Sequence, residues 1–334
     1  MAWWRKTMRA LRERARDAQA WALVLAALAL ATTFVGPTLP WQRSLFEHVI
    51  VLDVTQSMNV TDQRLEGRPV SRLVYAKHAL HRSIQQLPCG SKLGWAIFTE
   101  YRSYLLLTPI EVCANRAELR SSLASIDSRM AWSGNSEIAK GVHSAWLIAK
   151  ALPGTPSIVF ITDGQEAPPL DPRHRPRYDD KVGEVSGLIV GVGELTPSPI
   201  PKSDPAGRPL GFWGADEVAQ VDPRGLGRGG SVEAEKFADE SGGAVETGLG
   251  AVPGAEHLSA LREAYLRLLA SQSGLGFHRL RDVEAFSEAL RAPPLARQIQ
   301  VRGDLRLALV GLALALLLAP QLAALWRHWR AEPG

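Results

Sequence analysis

The chain has 334 residues, with 38 Lys and Arg against 34 Asp and Glu, a hydrophobic share of 46% and two cysteines. That length suits one large domain or two small ones, and that apolar share is ordinary for a globular protein. The formal charge of +4 comes from the ends, because residues 1–17 carry Arg5, Lys6, Arg9, Arg12, Arg14 and Arg16 against Glu13 and Asp17. The middle is close to neutral, which leaves no basic footprint for nucleic acid, and two cysteines are too few for a thiolate metal site.

Residues 18–35 (AQAWALVLAALALATTFV) hold no charge, and their length approaches the roughly 20 residues that cross a hydrocarbon core. They read as an uncleaved anchor; the competing reading, a signal peptide, wants a small-x-small cleavage site, and none is clear after Leu30. Residues 307–326 (LALVGLALALLLAPQLAALW) read as a second span, with Pro320 tolerated near its end. Positive flanks stay cytoplasmic. The basic segment 1–17 and the tail 327–334 are therefore expected in the cytoplasm of a bacterial inner-membrane protein, and the residues between the spans in the periplasm. There, Cys89 and Cys113 are expected to pair; two unpaired structural cysteines are the alternative.

Residues 36–47 read as a Pro-bearing linker. The apolar run His48–Leu52 suits a strand buried on both faces. Leu73, Ala76, Leu80, Ile84 and Leu87 predict a helix over 71–87, closed by Pro88. Strands follow at 93–99 and 104–108, with a tight turn between them. Asn115 is placed to cap a helix over 116–126, and Ile138, Val142, Ala145, Ala149 and Leu152 mark another, stopped by Gly154 and Pro156. Strands are predicted at 157–162 and 186–192, helices at 231–241 and 256–272, and a short edge strand at 244–246. Leu258, Leu261, Tyr265, Leu268 and Leu269 give the last of these helices an apolar stripe. Alternating strands and helices argue an α/β fold with a mostly parallel sheet covered on both faces. The expected periplasmic domain is 48–250, with irregular insertions at 167–183 and 194–230 and a helical extension at 251–304. Phe212 and Trp213 in the second insertion suggest a partner contact.

The stretch HVIVLDVTQSMNV ends its apolar run in Asp53 and then places Thr55 and Ser57 at alternate positions. In extended backbone, residues i, i+2 and i+4 point the same way. A second strand ends in Asp163, and the loop WSGNSEI offers Ser133, Asn135 and Ser136 ahead of a helix. Ligands of open parallel sheets bind at the carboxyl ends of the strands. Asp53, Thr55, Ser57, Ser136 and Asp163 thus form an all-oxygen set that suits a hard cation: Mg²⁺, with Ca²⁺ and Mn²⁺ as the other candidates.

These segments, in this order, resemble the von Willebrand factor A domain and its metal-ion-dependent adhesion site. The family's Asp-x-Ser-x-Ser motif is matched by Asp53, Thr55 and Ser57, its threonine by Ser136 and its last aspartate by Asp163. The resemblance implies a Rossmann-like, doubly wound fold that binds Mg²⁺ at its top. Thr55, Ser57 and Ser136 would ligate directly, Asp53 and Asp163 mostly through waters, and a partner's Asp or Glu would complete the shell. Such a domain between two membrane spans is similar to bacterial Bat-type proteins. The wording DVTQSMNVTD, LPCGS, RMAWSGNSEI and FITDGQEAPP most resembles MxaL-type accessory proteins of methanol oxidation. That implies a partner among methanol dehydrogenase and its maturation proteins, including calcium insertion.

Other functions fit less well. An aspartyl phosphotransferase needs a second carboxylate two residues after Asp53, where Thr55 stands. His78 and His81 have no third ligand nearby. The expectation is a non-enzymatic interaction module; a Bat-type complex component or a chaperone-like scaffold for another periplasmic client is the alternative.

Overall fold

A computed structural model describes residues 2–167, 176, 182–204, 206–215, 217–218 and 255–331. The expected helix at 231–241, the edge strand at 244–246 and most of the insertion at 167–183 lie outside the described residues. The chain divides into Ser44–Arg297 and a second unit formed by Met1–Arg43 with Gln298–Gly334.

Helix α1 (Ala2–Val35) leads into the long strand β1 (Thr38–Asp53). A small hairpin, β2 (Gln63–Leu65) and β3 (Arg68–Val70), precedes α2 (Arg72–Gln86). Then come β4 (Lys92–Thr99), β5 (Arg102–Glu111), α3 (Arg116–Ser125), α4 (Ile138–Ala151), β6 (Ser157–Thr162) and β7 (Gly187–Gly191). Short strands β8 (Ser198–Pro199), β9 (Pro201–Ser203), β10 (Pro209–Phe212) and β11 (Leu258–Ser259) follow. The chain continues through α5 (Glu263–Ser273), β12 (Gly276–Arg279), α6 (Val283–Leu290), β13 (Ala296–Asp304) and α7 (Arg306–Ala331).

In the Ser44–Arg297 unit the strands run in the order β12-β7-β6-β1-β4-β5. All these pairs are parallel except β4 with β5. The central strand shows why the apolar run needs no polar alternation. Ile50 and Leu52 pack on one face with Leu80 and Ile84 of α2, Leu119 of α3 and Phe286 of α6. Val49 and Val51 pack on the other, with Val142 and Ala145 of α4 and Leu266 of α5. The two helical layers cover both faces, as a mostly parallel sheet requires. Gly141 lets α4 approach closely: a Cβ there would come within 2.2 Å of the Phe98 ring.

Several expectations are corrected. The linker at 36–47 is largely strand, because β1 begins at Thr38 and pairs with β13. The stretch 251–304 is not purely helical: Gly276–Arg279 adds a parallel edge strand beside β7. The helix expected at 256–272 starts only at Glu263, since Leu258–Ser259 pairs with β8 instead. Leu261 and Leu269 of its stripe are buried, whereas Leu268 is exposed. Asn115 makes no side-chain cap; its amide donates to the Glu111 carbonyl at 2.9 Å. The insertion at 194–230 is less irregular than its composition suggests, with β9 and β10 forming an antiparallel pair. The cysteines pair as expected: Cys89 and Cys113 form a disulfide.

In the other unit, α1 and α7 meet through Ala26, Ala29 and Ala313, with Leu316 and Leu317 alongside. Small residues let the two backbones approach. Leu23, Leu25, Leu28, Leu312, Leu314 and Leu318 face outward, each about half exposed. Among the described residues, no helix is long and apolar enough to cross a membrane; side chains are described over 19–35 of α1 and 306–322 of α7.

Candidate metal centre

The centre forms where β1 and β6 end side by side. Leu52 pairs with Ile161, so the next residues, Asp53 and Thr162, lie abreast at the sheet's carboxyl edge. Asp53 is fully buried. Its Oδ2 accepts from the Thr162 hydroxyl at 2.7 Å. Its Oδ1 accepts from the Thr55 amide at 2.9 Å and the Thr55 hydroxyl at 2.6 Å. The Thr55 hydroxyl proton is thus committed to Asp53, which leaves its lone pairs free for a cation. Ser57 Oγ lies 3.4 Å from Thr55 Oγ1, on the 3₁₀ turn Gln56–Asn59.

Ser136 is brought in from elsewhere in the chain. Its amide donates to the Ala167 carbonyl at 2.6 Å, and the Ala167 amide donates back at 2.8 Å. The next amide, Glu137, donates to the Glu100 carbonyl at 2.6 Å. Glu100 sits in the β4–β5 turn in the left-handed region, at a φ of +61°. Ser136 is therefore clamped between that turn and the loop after β6. Its side chain is buried, and its Oγ has no hydrogen-bond partner among the described residues.

A cavity of about 240 Å³ brings Thr55, Ser57 and Ser136 together, with Gln165 beside them. Asp53 and Asp163 are not on its wall. Asp53 stands behind Thr55, and Asp163 is engaged on its far side. Asp163 Oδ1 accepts from the Gln165 amide at 3.0 Å. Its Oδ2 accepts from Ser259 Oγ at 2.9 Å and from Arg72 at 2.5 Å. Gly164, at a φ of +82°, supplies the left-handed turn just after Asp163. Phe212 is well exposed, whereas Trp213 lines the cavity.

Four contributors escaped the sequence reading. Arg72, at the first turn of α2, is fully buried and bridges Asp62 at 2.6 Å and Asp163 at 2.5 Å. Ser259 of β11 bonds both Arg72 and Asp163. Thr162 bonds Asp53. Glu166 accepts from the first amides of α4, Ile138 at 3.0 Å and Ala139 at 2.9 Å, and from the Tyr265 hydroxyl. It ties the Ser136 loop to the end of β6. A basic residue at a helix start opposes the helix dipole, and that misplacement is the one signal Arg72 gives in the sequence.

Electrostatics favour a cation. Burial, then the nearby charge of Asp163, pushes the Asp53 carboxyl up to about 7, against the hydrogen bonds from Thr162 and Thr55. Burial pushes Glu166 up to about 8, against its three donors. Burial works against both Asp62 and Arg72, yet Arg72 holds Asp62 below its ordinary range, and Asp163 first, then Asp62, hold Arg72 above its own. When ionised, Asp53, Asp62 and Asp163 exceed the guanidiniums of Arg72 and of Arg262, which lies near Asp163, by one negative charge. The donor set fits Mg²⁺: hydroxyl oxygens, carboxylates behind them, and one buried hydroxyl with no protein partner.

Residues 48–165 match the model of the von Willebrand factor type A domain. The matched segment contains Asp53, Thr55, Ser57, Ser136 and Asp163. The solved structures similar to this chain include an aerotolerance-related membrane protein from Bacteroides fragilis NCTC 9343. It is 18% identical, with a TM-score of 0.47, covering 74% of this chain and 96% of that one. A von Willebrand factor type A protein from Catenulispora acidiphila is 14% identical, with a TM-score of 0.37, covering 74% of this chain and 41% of that one. An uncharacterized membrane spanning protein from Vibrio fischeri is 18% identical, with a TM-score of 0.27, covering 73% and 96%. No curated protein matches the chain.

Proposed function

We propose that the von Willebrand A domain binds Mg²⁺ through Thr55, Ser57 and Ser136, with Asp53 and Asp163 acting mostly through waters, and uses the metal to capture an acidic residue of a partner protein. Ca²⁺ and Mn²⁺ suit the same oxygen set. The observation that carries this reading is the Ser136 hydroxyl, buried and unpartnered on the cavity it shares with Thr55 and Ser57. Buried polar groups are rarely left without a partner, and a missing ion is one reason for an exception. The domain's role is adhesive rather than catalytic.

We also propose that α1 and α7 anchor the domain in the bacterial inner membrane, with both termini cytoplasmic. The support is the outward leucines on both helices and the basic residues in the N-terminal half of α1. By resemblance, the partner belongs to the methanol dehydrogenase maturation machinery. A Bat-type membrane complex is the alternative setting.

The test is retention of partners from periplasmic extract by the tagged full-length protein in detergent. It is run with Mg²⁺, with EDTA, and with Asp53→Ala. Retention that needs both Mg²⁺ and Asp53 is the expected result. Equal retention in all three removes the metal from the function, as does a loss that merely follows lost folding of Asp53→Ala.

A further inference from the structure

The cavity over the three hydroxyls has a second wall that the metal does not account for. It is built by the insertion between β7 and α5, through Ile200, Trp213, Glu217, Val218 and Glu256. This wall is fixed to the centre. The Ile200 amide donates to the His257 carbonyl at 3.2 Å, and the Trp213 amide to the Ile200 carbonyl at 3.1 Å. At the insertion's C-terminal root, Ser259 bonds Asp163 and Arg72.

Among the described residues, two groups on this wall lack partners. The Trp213 indole Nε1 is buried and has no hydrogen-bond acceptor among the described residues. The Trp213 ring itself is held: Lys202 stacks over it at 4.4 Å and pairs with Glu217 at 2.6 Å. That pairing neutralises Glu217. The Glu256 carboxylate has no such cation; among the described residues it makes no ion pair or hydrogen bond. Among the described residues the cavity therefore joins a free N–H donor, a carboxylate with no paired cation and the unpartnered Ser136 hydroxyl. Its volume of about 240 Å³ falls below the roughly 300–1,000 Å³ of small-molecule sites. It suits side chains of a docked segment rather than a metabolite.

We propose that this cavity reads a two-part signal in an extended segment of the partner: an aspartate or glutamate with a lysine or arginine two positions away. Residues at that spacing point the same way from an extended chain. The acidic residue goes to the metal, with its second oxygen accepting from Trp213 Nε1. The basic residue pairs with Glu256. Trp213 and Glu256 are then specificity residues, and the insertion discriminates among partners that the metal alone would hold equally. This inference rests on the metal-dependent reading above.

The test measures fluorescence anisotropy of labelled glycine-flanked peptides on the full-length protein in detergent. One peptide carries aspartate, glycine, lysine in its centre; the other carries aspartate, glycine, glutamate. With Mg²⁺, the lysine peptide is expected to bind about five-fold tighter, the scale of one partly exposed ion pair. Glu256→Gln brings the two within about two-fold of each other. Trp213→Phe keeps the ring but removes the N–H, and weakens both peptides about ten-fold, the scale of one hydrogen bond to a charged group. Equal binding of the two peptides overturns the inference and leaves the metal reading standing. So does a lysine preference that survives Glu256→Gln, or full affinity in Trp213→Phe. Absence of any Mg²⁺-dependent binding overturns the metal reading, and this inference with it.

Discussion

Arg72 and Asp163 meet at 2.5 Å with neither side chain exposed to solvent. The pair joins the start of α2 to the end of β6, and Ser259 joins it from the insertion. Arg72 also holds Asp62, so one guanidinium serves two carboxylates. Removing one partner of a buried pair leaves the other charged and uncompensated. Arg72→Met is expected to cost about 3–5 kcal/mol, read as a lowered midpoint in urea unfolding. Asp163→Asn in the same background should recover part of the loss. An Arg72→Met protein as stable as the parent would show that Asp62 and Asp163 are not held as described.

Ser136 separates stability from metal binding. Its hydroxyl has no partner among the described residues, so Ser136→Ala forfeits no hydrogen bond seen in the fold. The thermal midpoint should not fall below the parent by more than a degree or two, because removing a buried hydroxyl that pairs with nothing in the fold gives up no hydrogen bond. Mn²⁺ binding, followed by electron paramagnetic resonance, should weaken about ten-fold or more, the scale of a lost ligand contact. Unchanged Mn²⁺ affinity in Ser136→Ala would remove this residue from the site.

Glu166 tests how the Ser136 loop is held. It accepts from two α4 amides and from Tyr265. Glu166→Ala leaves these donors buried without an acceptor, at about 1–3 kcal/mol each when fully unsatisfied. Both the thermal midpoint and Mn²⁺ affinity should fall together. Glu166→Gln keeps one acceptor oxygen and should lie between Glu166→Ala and the parent on both measures.

What the sequence made legible was local. Asp53, Thr55 and Ser57 announce themselves because the strand end and the i, i+2 rhythm sit in one short stretch. Ser136 and Asp163 follow from a loop before a helix and a strand terminus. Arg72 did not, since its partners Asp163 and Ser259 lie 91 and 187 positions away. Glu166 meets Tyr265 across 99 positions. β12 was missed because Gly276–Arg279 is only four residues long, too short for a period to show. The first half of β1 was read as a linker because Pro40 and exposed polar residues hide its pairing with β13.

The disulfide gives a prediction that depends on none of these contacts. Cys89 and Cys113 are 24 positions apart. Closing a loop of that size removes unfolded-state freedom worth about 3 kcal/mol. The Cys89→Ser/Cys113→Ser protein should unfold at a lower midpoint, and dithiothreitol should lower the parent to the same value while leaving the double variant unmoved. A parent insensitive to reductant at its own unfolding midpoint would mean the bridge adds nothing to stability.

His48 sets an acid limit on the domain. It is fully buried in the central strand. Its Nε2 lies 3.0 Å from the Leu290 carbonyl, and its Nδ1 lies 2.6 Å from Ser157 Oγ. The neutral ring donates from Nε2 and accepts at Nδ1 when the Ser157 hydroxyl, which also lies 3.1 Å from the Glu47 carbonyl, turns its proton to the ring. Burial pulls its pKa down to about 4, although the Leu290 carbonyl opposes the shift. The folded value is thus below the unfolded value of 6.5, so protonation favours unfolding. The stability tied to neutral His48 is complete above pH 6.5 and is lost as pH falls from there to 4. A shift of this size corresponds to about 3 kcal/mol. Stability measured in urea should decline across that window in the parent. His48→Gln should show a slope shallower by about one proton. Identical slopes in the two proteins would mean that His48 is protonated in the folded domain.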